Sequence, residues 1–289
     1  MAKKKAAKTP QLHLCAAAWT MTNYPSAKRQ WSAETKVKRA KEAGFTGFSA
    51  GADPQLVNAL HKHGMTLVGG VDVGSVDEAE GKLQAFKDAG AIHINIQLCD
   101  HDTPTKEALP VARQVIQVGD SLGLKPAIEW HRDTCTETPE KAMALAEAYE
   151  KRYKSKLRMN FDHSHPAIIK QVRPDAFWDR LKGRLDLLRM SELIHLRTFT
   201  GSHCQTPITN GKGKLDADFI TWRDKFCSHL LDGWLKGQRG AKSLYAVIEL
   251  GPKGSGYALD CFPDVWEDAI VARAEVEKVW NGLIKQRSK

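Results

Sequence analysis

Glu129, Asp162, His195 and Glu249 stand 33, 33 and 54 residues apart. Each closes, or nearly closes, a short apolar run: AIEWHRD, MNFDHSH, LIHLRTF and AVIELGP. Three carboxylates and one imidazole form a hard donor set, suited to Mn²⁺, Mg²⁺, Co²⁺ or Zn²⁺ rather than to a thiolate-seeking ion. A single carboxylate at a strand end is most often a cap or one half of an ion pair. Three gathered without a cation would be costly, because burial and mutual repulsion both oppose their charge. The four residues therefore read together as a metal centre, with Mn²⁺ the first choice of ion.

The flanking residues are rich in hydrogen-bond donors. His131 and Arg132 follow Glu129, His163 and His165 follow Asp162, and Arg197 follows His195. They are candidates for holding hydroxyl and carbonyl oxygens of a substrate, with His165 able to act behind the metal ligands through its second ring nitrogen. In the run AIHINIQLC, Gln97 lies nearer the end than Asn95 and is the better candidate to reach a ligand. Asp72 and Trp19 are weaker candidates. His203 competes with His195 for the metal, and His195 is preferred because a strand holds a ligand more rigidly than a loop.

Eight runs of strand length must position these groups: residues 12–19, 46–50, 65–73, 91–99, 125–131, 157–163, 193–199 and 243–250. A stretch of helical period follows each one, with stops such as Gly44 and Gly90 and an N-cap such as Ser32. Strict alternation predicts a parallel sheet, and eight repeats predict a single closed (β/α)8 barrel, in which strand C-termini carry the chemistry. A doubly wound nucleotide-binding sheet is disfavoured, since no Gly-x-Gly-x-x-Gly follows the first strand and neither GGVDVG nor GPKGSG opens a helix at the right spacing. The connection over residues 201–218 is the longest irregular segment and reads as an active-site loop.

Composition sets the outer limits. With 289 residues, 42% apolar and 27% charged, the chain matches an ordinary globular domain. No run of about 18 apolar residues is long enough to span a bilayer. Residues 1–10 read as a disordered basic tail rather than a secretory signal, and residues 11–289 as the barrel domain. The six cysteines are scattered without a Cys-x-x-Cys pair, which fits a reducing cytoplasm. The net charge of +9 is spread over both termini and many helices, so it does not call for nucleic acid. A homo-oligomer is compatible with the chain.

At the site residues the chain resembles the xylose-isomerase-like TIM-barrel superfamily, which holds sugar isomerases and epimerases, inosose dehydratases and endonuclease IV. The resemblance rests on IEWHRDTCTETPEKA, NFDHSHPAI, IHLRTFTGSHCQTPI and VIELGP, with Asp162 and His165 matching an Asp-x-x-His piece. Many members carry His-x-His at the seventh strand. Here the text is His195, Leu196, Arg197, which is similar to a branch with His-x-Arg and a downstream Gln, here Gln205. The resemblance implies proton abstraction next to a carbonyl of a sugar or keto-sugar through a metal-stabilised enediolate. Glu129 and Glu249 would be its acid and base, and His131, Arg132, His165, Arg197 and Gln97 would bind the substrate. Isomerisation or epimerisation is the first expectation. Elimination by a lyase or dehydratase is the alternative, and an endonuclease IV-like phosphodiesterase is the remote third.

Overall fold

The computed structural model describes residues 9–287, so most of the basic tail expected over residues 1–10 lies outside the described residues. Eight parallel strands close into a barrel in sequence order: β1 Gln11–Ala17, β2 Gly47–Ala50, β3 Thr66–Val73, β4 His93–Leu98, β5 Lys125–Glu129, β6 Met159–Asp162, β7 Leu193–Leu196 and β8 Ser243–Ile248. The expected (β/α)8 architecture is what the chain adopts. Several strands end up to three residues before their apolar runs do, because the backbone turns away there. Cys99 takes a left-handed φ of 54° immediately after β4, and a short helix, Ser164–Ile169, starts two residues after β6.

Local signals explain the helices between the strands. Ser32 caps Ala33–Glu42 by accepting from the Thr35 amide at 3.2 Å, and Asp53 caps Pro54–His63 by accepting from the Leu56 amide at 2.9 Å. Gly44 and Gly90 follow their helices with positive φ, the conformation that glycine takes without strain. The principal core lies between barrel and helices, where Phe48, Ile94, Ile96, Ile128, Phe161 and Ile248 on the outward strand faces are fully or almost fully buried. No helix among the described residues is long and apolar enough to cross a membrane.

Inside the barrel the period of two along each strand selects a second set of residues. Cys15, Ala17, Val68, Leu193 and Val247 form a small apolar plug, with Tyr245 packed against it. Gly47 belongs to this filling, since a Cβ there would meet Cys15 Sγ at 2.5 Å. The same periodicity, followed toward the C-terminal ends, leads from Leu193 to His195 and from Val247 to Glu249. The plug thus seals the barrel from below, and the polar residues occupy the layer above it.

Candidate metal centre

Glu129 and Asp162 are the last residues of β5 and β6, His195 is the third residue of β7, and Glu249 directly follows β8. Neighbouring strands in closed register bring them together: Asp162 pairs with His195, and His195 with Val247. One donor atom from each of the four lies within 4.8 Å of every other. Glu129, Asp162 and His195 are at most 4% exposed, while the Glu249 side chain keeps 19% of its surface open. His203 is exposed in the loop after β7 and is not part of this cluster.

The spacing of the donors suits a cation. His195 Nδ1 lies 2.8 Å from Glu129 Oε1 and 2.9 Å from Glu249 Oε2, close enough to pair with both carboxylates when protonated, while Nε2 has no hydrogen-bond partner. Asp162 Oδ2 is also buried without one. Ligands held about 2.1 Å from one ion at right angles stand about 3 Å apart, which matches these separations. Unpartnered buried atoms converging at that distance fit a divalent ion bound among them.

Electrostatics point the same way. Burial opposes charge on His195, but Glu249 and Glu129 outweigh it and hold the imidazole pKa well above its usual value. Burial raises the Asp162 pKa, with Glu249 and Glu129 adding to the effect and Arg197 opposing it. Glu129 and Glu249 also suffer burial, yet the charge on His195 keeps both below the ordinary carboxylate range. Without an added cation the centre thus balances three carboxylates by holding protons. A divalent ion would replace those protons.

Arg197, one residue beyond β7, is 3% exposed and faces the centre. Its Nη2 lies 2.7 Å from Glu249 Oε2 and 3.6 Å from Asp162 Oδ2. His165, fully buried in the helix after β6, sits 3.5 Å from Asp162 Oδ2 and 3.1 Å from Arg197 Nη1. Burial, with the nearby Arg197 charge, pushes its pKa well below the usual value, so it stays neutral. His165 and Arg197 therefore support the candidate ligands from behind or from the side.

A cavity of about 560 Å³ opens at the C-terminal mouth of the barrel. Its wall includes His195, Arg197, Glu249, His131, Gln97 and Asn95, as well as Asp72 and Trp19. Glu129, Asp162, His165 and Arg132 are not on that wall. Arg132 stacks its guanidinium 4.5 Å from the centre of the Tyr257 ring. Tyr257 itself lines the cavity, 4.7 Å from Arg197 and edge-on to Trp19 at 4.8 Å. Nothing in the sequence singled Tyr257 out, because it lies in an irregular segment without a period.

Two flanking residues take other roles. His163, expected among the substrate donors, faces away from the cavity into an aromatic cluster of Phe161, Trp130, Phe177 and Phe226. Both its ring nitrogens are unpartnered, and burial lowers its pKa to about 3. The alternation that aims Asp162 inward aims its neighbour outward. Gln205 clamps two loops together, donating to the Gly251 carbonyl at 3.0 Å and accepting from the Gly251 amide at 2.6 Å.

No family model and no curated protein matches this chain. Solved structures match it in fold across nearly their whole length. The 3-keto-D-glucoside 4-epimerase YcjR of E. coli is similar at 15% identity and a TM-score of 0.59, covering 93% of this chain and 100% of its own. A D-allulose 3-epimerase from Methylomonas sp., solved in complex with D-allulose, gives 14% identity and 0.59 over 98% and 100%. A xylose isomerase-like TIM barrel protein from Mycobacterium smegmatis, in complex with magnesium, gives 13% and 0.57 over 93% and 97%. The chain shares the fold of these xylose isomerase-like barrels.

Proposed function

We propose that this chain is a divalent-metal-dependent enzyme that abstracts a proton next to the carbonyl of a sugar or keto-sugar. One observation carries the reading: four hard donors, two with unpartnered buried atoms, converge within 4.8 Å of one another, and two of them, His195 and Glu249, line a cavity in the barrel mouth. The shared fold with sugar epimerases and with a magnesium-bound barrel supports it. Glu129, Asp162, His195 and Glu249 would hold the ion, with Mn²⁺ the first choice. Bound there, the ion would supply positive charge for the oxyanion that develops when the proton leaves.

The chain's own residues divide the remaining work. Glu249 is a ligand and also lines the cavity, so its carboxylate can meet a substrate proton. Arg197 fixes that carboxylate in place. His131, Gln97 and Asn95 offer donors to hydroxyl groups, and Trp19 with Tyr257 forms an aromatic wall. The lining contains no lysine, and its single arginine is engaged with Glu249, so the cavity suits an uncharged, hydroxyl-rich ligand better than a sugar phosphate. At about 560 Å³ the cavity falls within the usual size range of small-molecule sites, which accommodates a sugar-sized ligand. A phosphodiesterase would want further buried ligands; the other candidate donor group among the described residues, Asp100, His101 and Asp133, is largely exposed.

Isomerisation or epimerisation would use Glu129 to return the proton from the other side. Glu129 is 1% exposed and off the cavity wall, which favours a second reading: a one-base elimination in which Glu249 removes the proton and a group on the next carbon departs. Incubating the Mn²⁺-loaded protein with keto-sugars and keto-glycosides in D₂O tests both. An epimerase should place deuterium in its product beside the carbonyl with no group lost, whereas a lyase should release an alcohol or water and show deuterium only in recovered substrate. Glu249→Gln should reduce turnover by roughly 10² or more. Epimerised or isomerised product without solvent deuterium, and with no alcohol or water released, would remove the proton-transfer role from Glu249.

A further inference from the structure

Glu129 has a second oxygen, and that oxygen is held by a chain of buried side-chain amides. Asn95 Nδ2 donates to Glu129 Oε2 at 2.6 Å, and Asn160 Nδ2 donates to Asn95 Oδ1 at 2.7 Å. The three residues come from β4, β5 and β6 and are at most 5% exposed. β4 and β6 are alternate strands, which in a closed barrel place their inward side chains in one layer, so the two amides can meet inside it.

The direction of this chain of hydrogen bonds follows from chemistry. An ionised carboxylate only accepts, so the group that Asn95 presents to Glu129 must be its NH₂. Its carbonyl oxygen then faces Asn160 and requires a donor, which the Asn160 NH₂ supplies. Reversing either amide would set two acceptors against each other. Asn160 Oδ1 is left buried without a partner. Asn160 sits beside Glu129 in strand register, but its side chain hydrogen-bonds none of the four candidate ligands and is linked to the Glu129 carboxylate through Asn95.

We infer that Asn95 and Asn160 form a one-way amide relay that positions Glu129, committing Oε2 to Asn95 and leaving Oε1 to the metal. This rests on the proposed metal centre. Asn95 is the positioning residue, and Asn160 sets the orientation of Asn95. Because Asn95 also lines the cavity, the hydrogen of its NH₂ not given to Glu129 is available to an acceptor oxygen of the bound ligand. One side chain then links the geometry of a metal ligand to the oxygen pattern of what the cavity holds.

The test is a Co²⁺ titration of the full chain, followed by the visible absorption of the bound ion, in wild type, Asn160→Leu, Asn95→Leu and the double variant. Outer partners of metal ligands are commonly worth 10- to 100-fold in affinity. Asn160→Leu should weaken Co²⁺ by roughly that range and alter its absorption band, although it removes no ligand. The double variant should bind no more weakly than Asn95→Leu alone, since Asn160 acts only through Asn95; residues with independent structural effects would instead add. Thermal melts identify folded variants, and Asn160→Ala carries the same expectation if Asn160→Leu does not fold. Binding by Asn160→Leu within twofold of wild type, or additive losses, overturns the relay alone. A wild-type chain that takes up no Co²⁺ overturns the metal centre and the relay with it.

Discussion

Arg197 grips Glu249 twice: Nε donates to the Glu249 carbonyl oxygen at 2.9 Å, and Nη2 donates to its Oε2 at 2.7 Å. Backbone and side chain of the same residue are thus fixed by one planar guanidinium, which itself lies 5.5 Å from the Trp19 ring centre. A lysine has no such fork. Arg197→Lys should keep a positive charge yet loosen the carboxylate, lowering turnover more than metal content. Arg197→Met removes the charge and leaves buried carboxylates uncompensated, a change that typically costs about 3–5 kcal/mol. A chemical denaturation curve checks this, and added Mn²⁺ should restore part of the loss.

Metal content should follow the four donors. The purified protein should carry about one divalent ion per chain, and Glu129→Gln or Asp162→Asn should lower that sharply. Elemental analysis after incubation with Mn²⁺, Co²⁺ and Zn²⁺ decides it. A chain that stays metal-free in all three would sink the proposed function.

His195 and His203 make opposite predictions. His195→Ala deletes the imidazole at the centre of the cluster and should abolish metal retention. His203→Ala alters an exposed loop residue and should leave retention intact. The reverse outcome would move the ligand into the loop.

The floor of the barrel should give the protein a measurable acid sensitivity. His93 is 4% exposed, with its ring tilted against Tyr245 at 4.3 Å, and burial lowers its pKa to about 4, with Lys125 and His13 adding to the effect and Glu192 opposing it. In the unfolded chain the ordinary value of about 6.5 applies. Between those values the unfolded state binds the extra proton, so the contribution is fully present above about pH 6.5 and is lost as pH falls toward 4. The difference corresponds to about 3 kcal/mol. Urea unfolding between pH 7 and 4 should show that slope, and His93→Phe should flatten it.

Much of the fold is legible in the sequence because it depends on local patterns. Apolar runs of strand length and helical periods repeat eight times, with stops such as Gly44 and Gly90 between them, and parallel pairing of eight such units has few other outcomes. The four donors are legible for a related reason: each is the polar residue that ends an apolar run, and consecutive strands of a closed barrel must be neighbours. Their chemical types alone suggest a hard cation.

What only the tertiary structure decided is which neighbouring polar groups share that space. His163 and His165 are two residues apart, yet one enters an aromatic cluster and the other meets Arg197, because β6 yields to a helix between them. Arg132 turns onto Tyr257 from a loop whose path no period describes. Asn95 and Asn160 are 65 residues apart and belong to strands that are not adjacent. Their contact depends on strand register and on the curvature that closes the barrel. Sequence spacing carries neither quantity, since both are set by side chains packing across the interior from strands far apart in the chain.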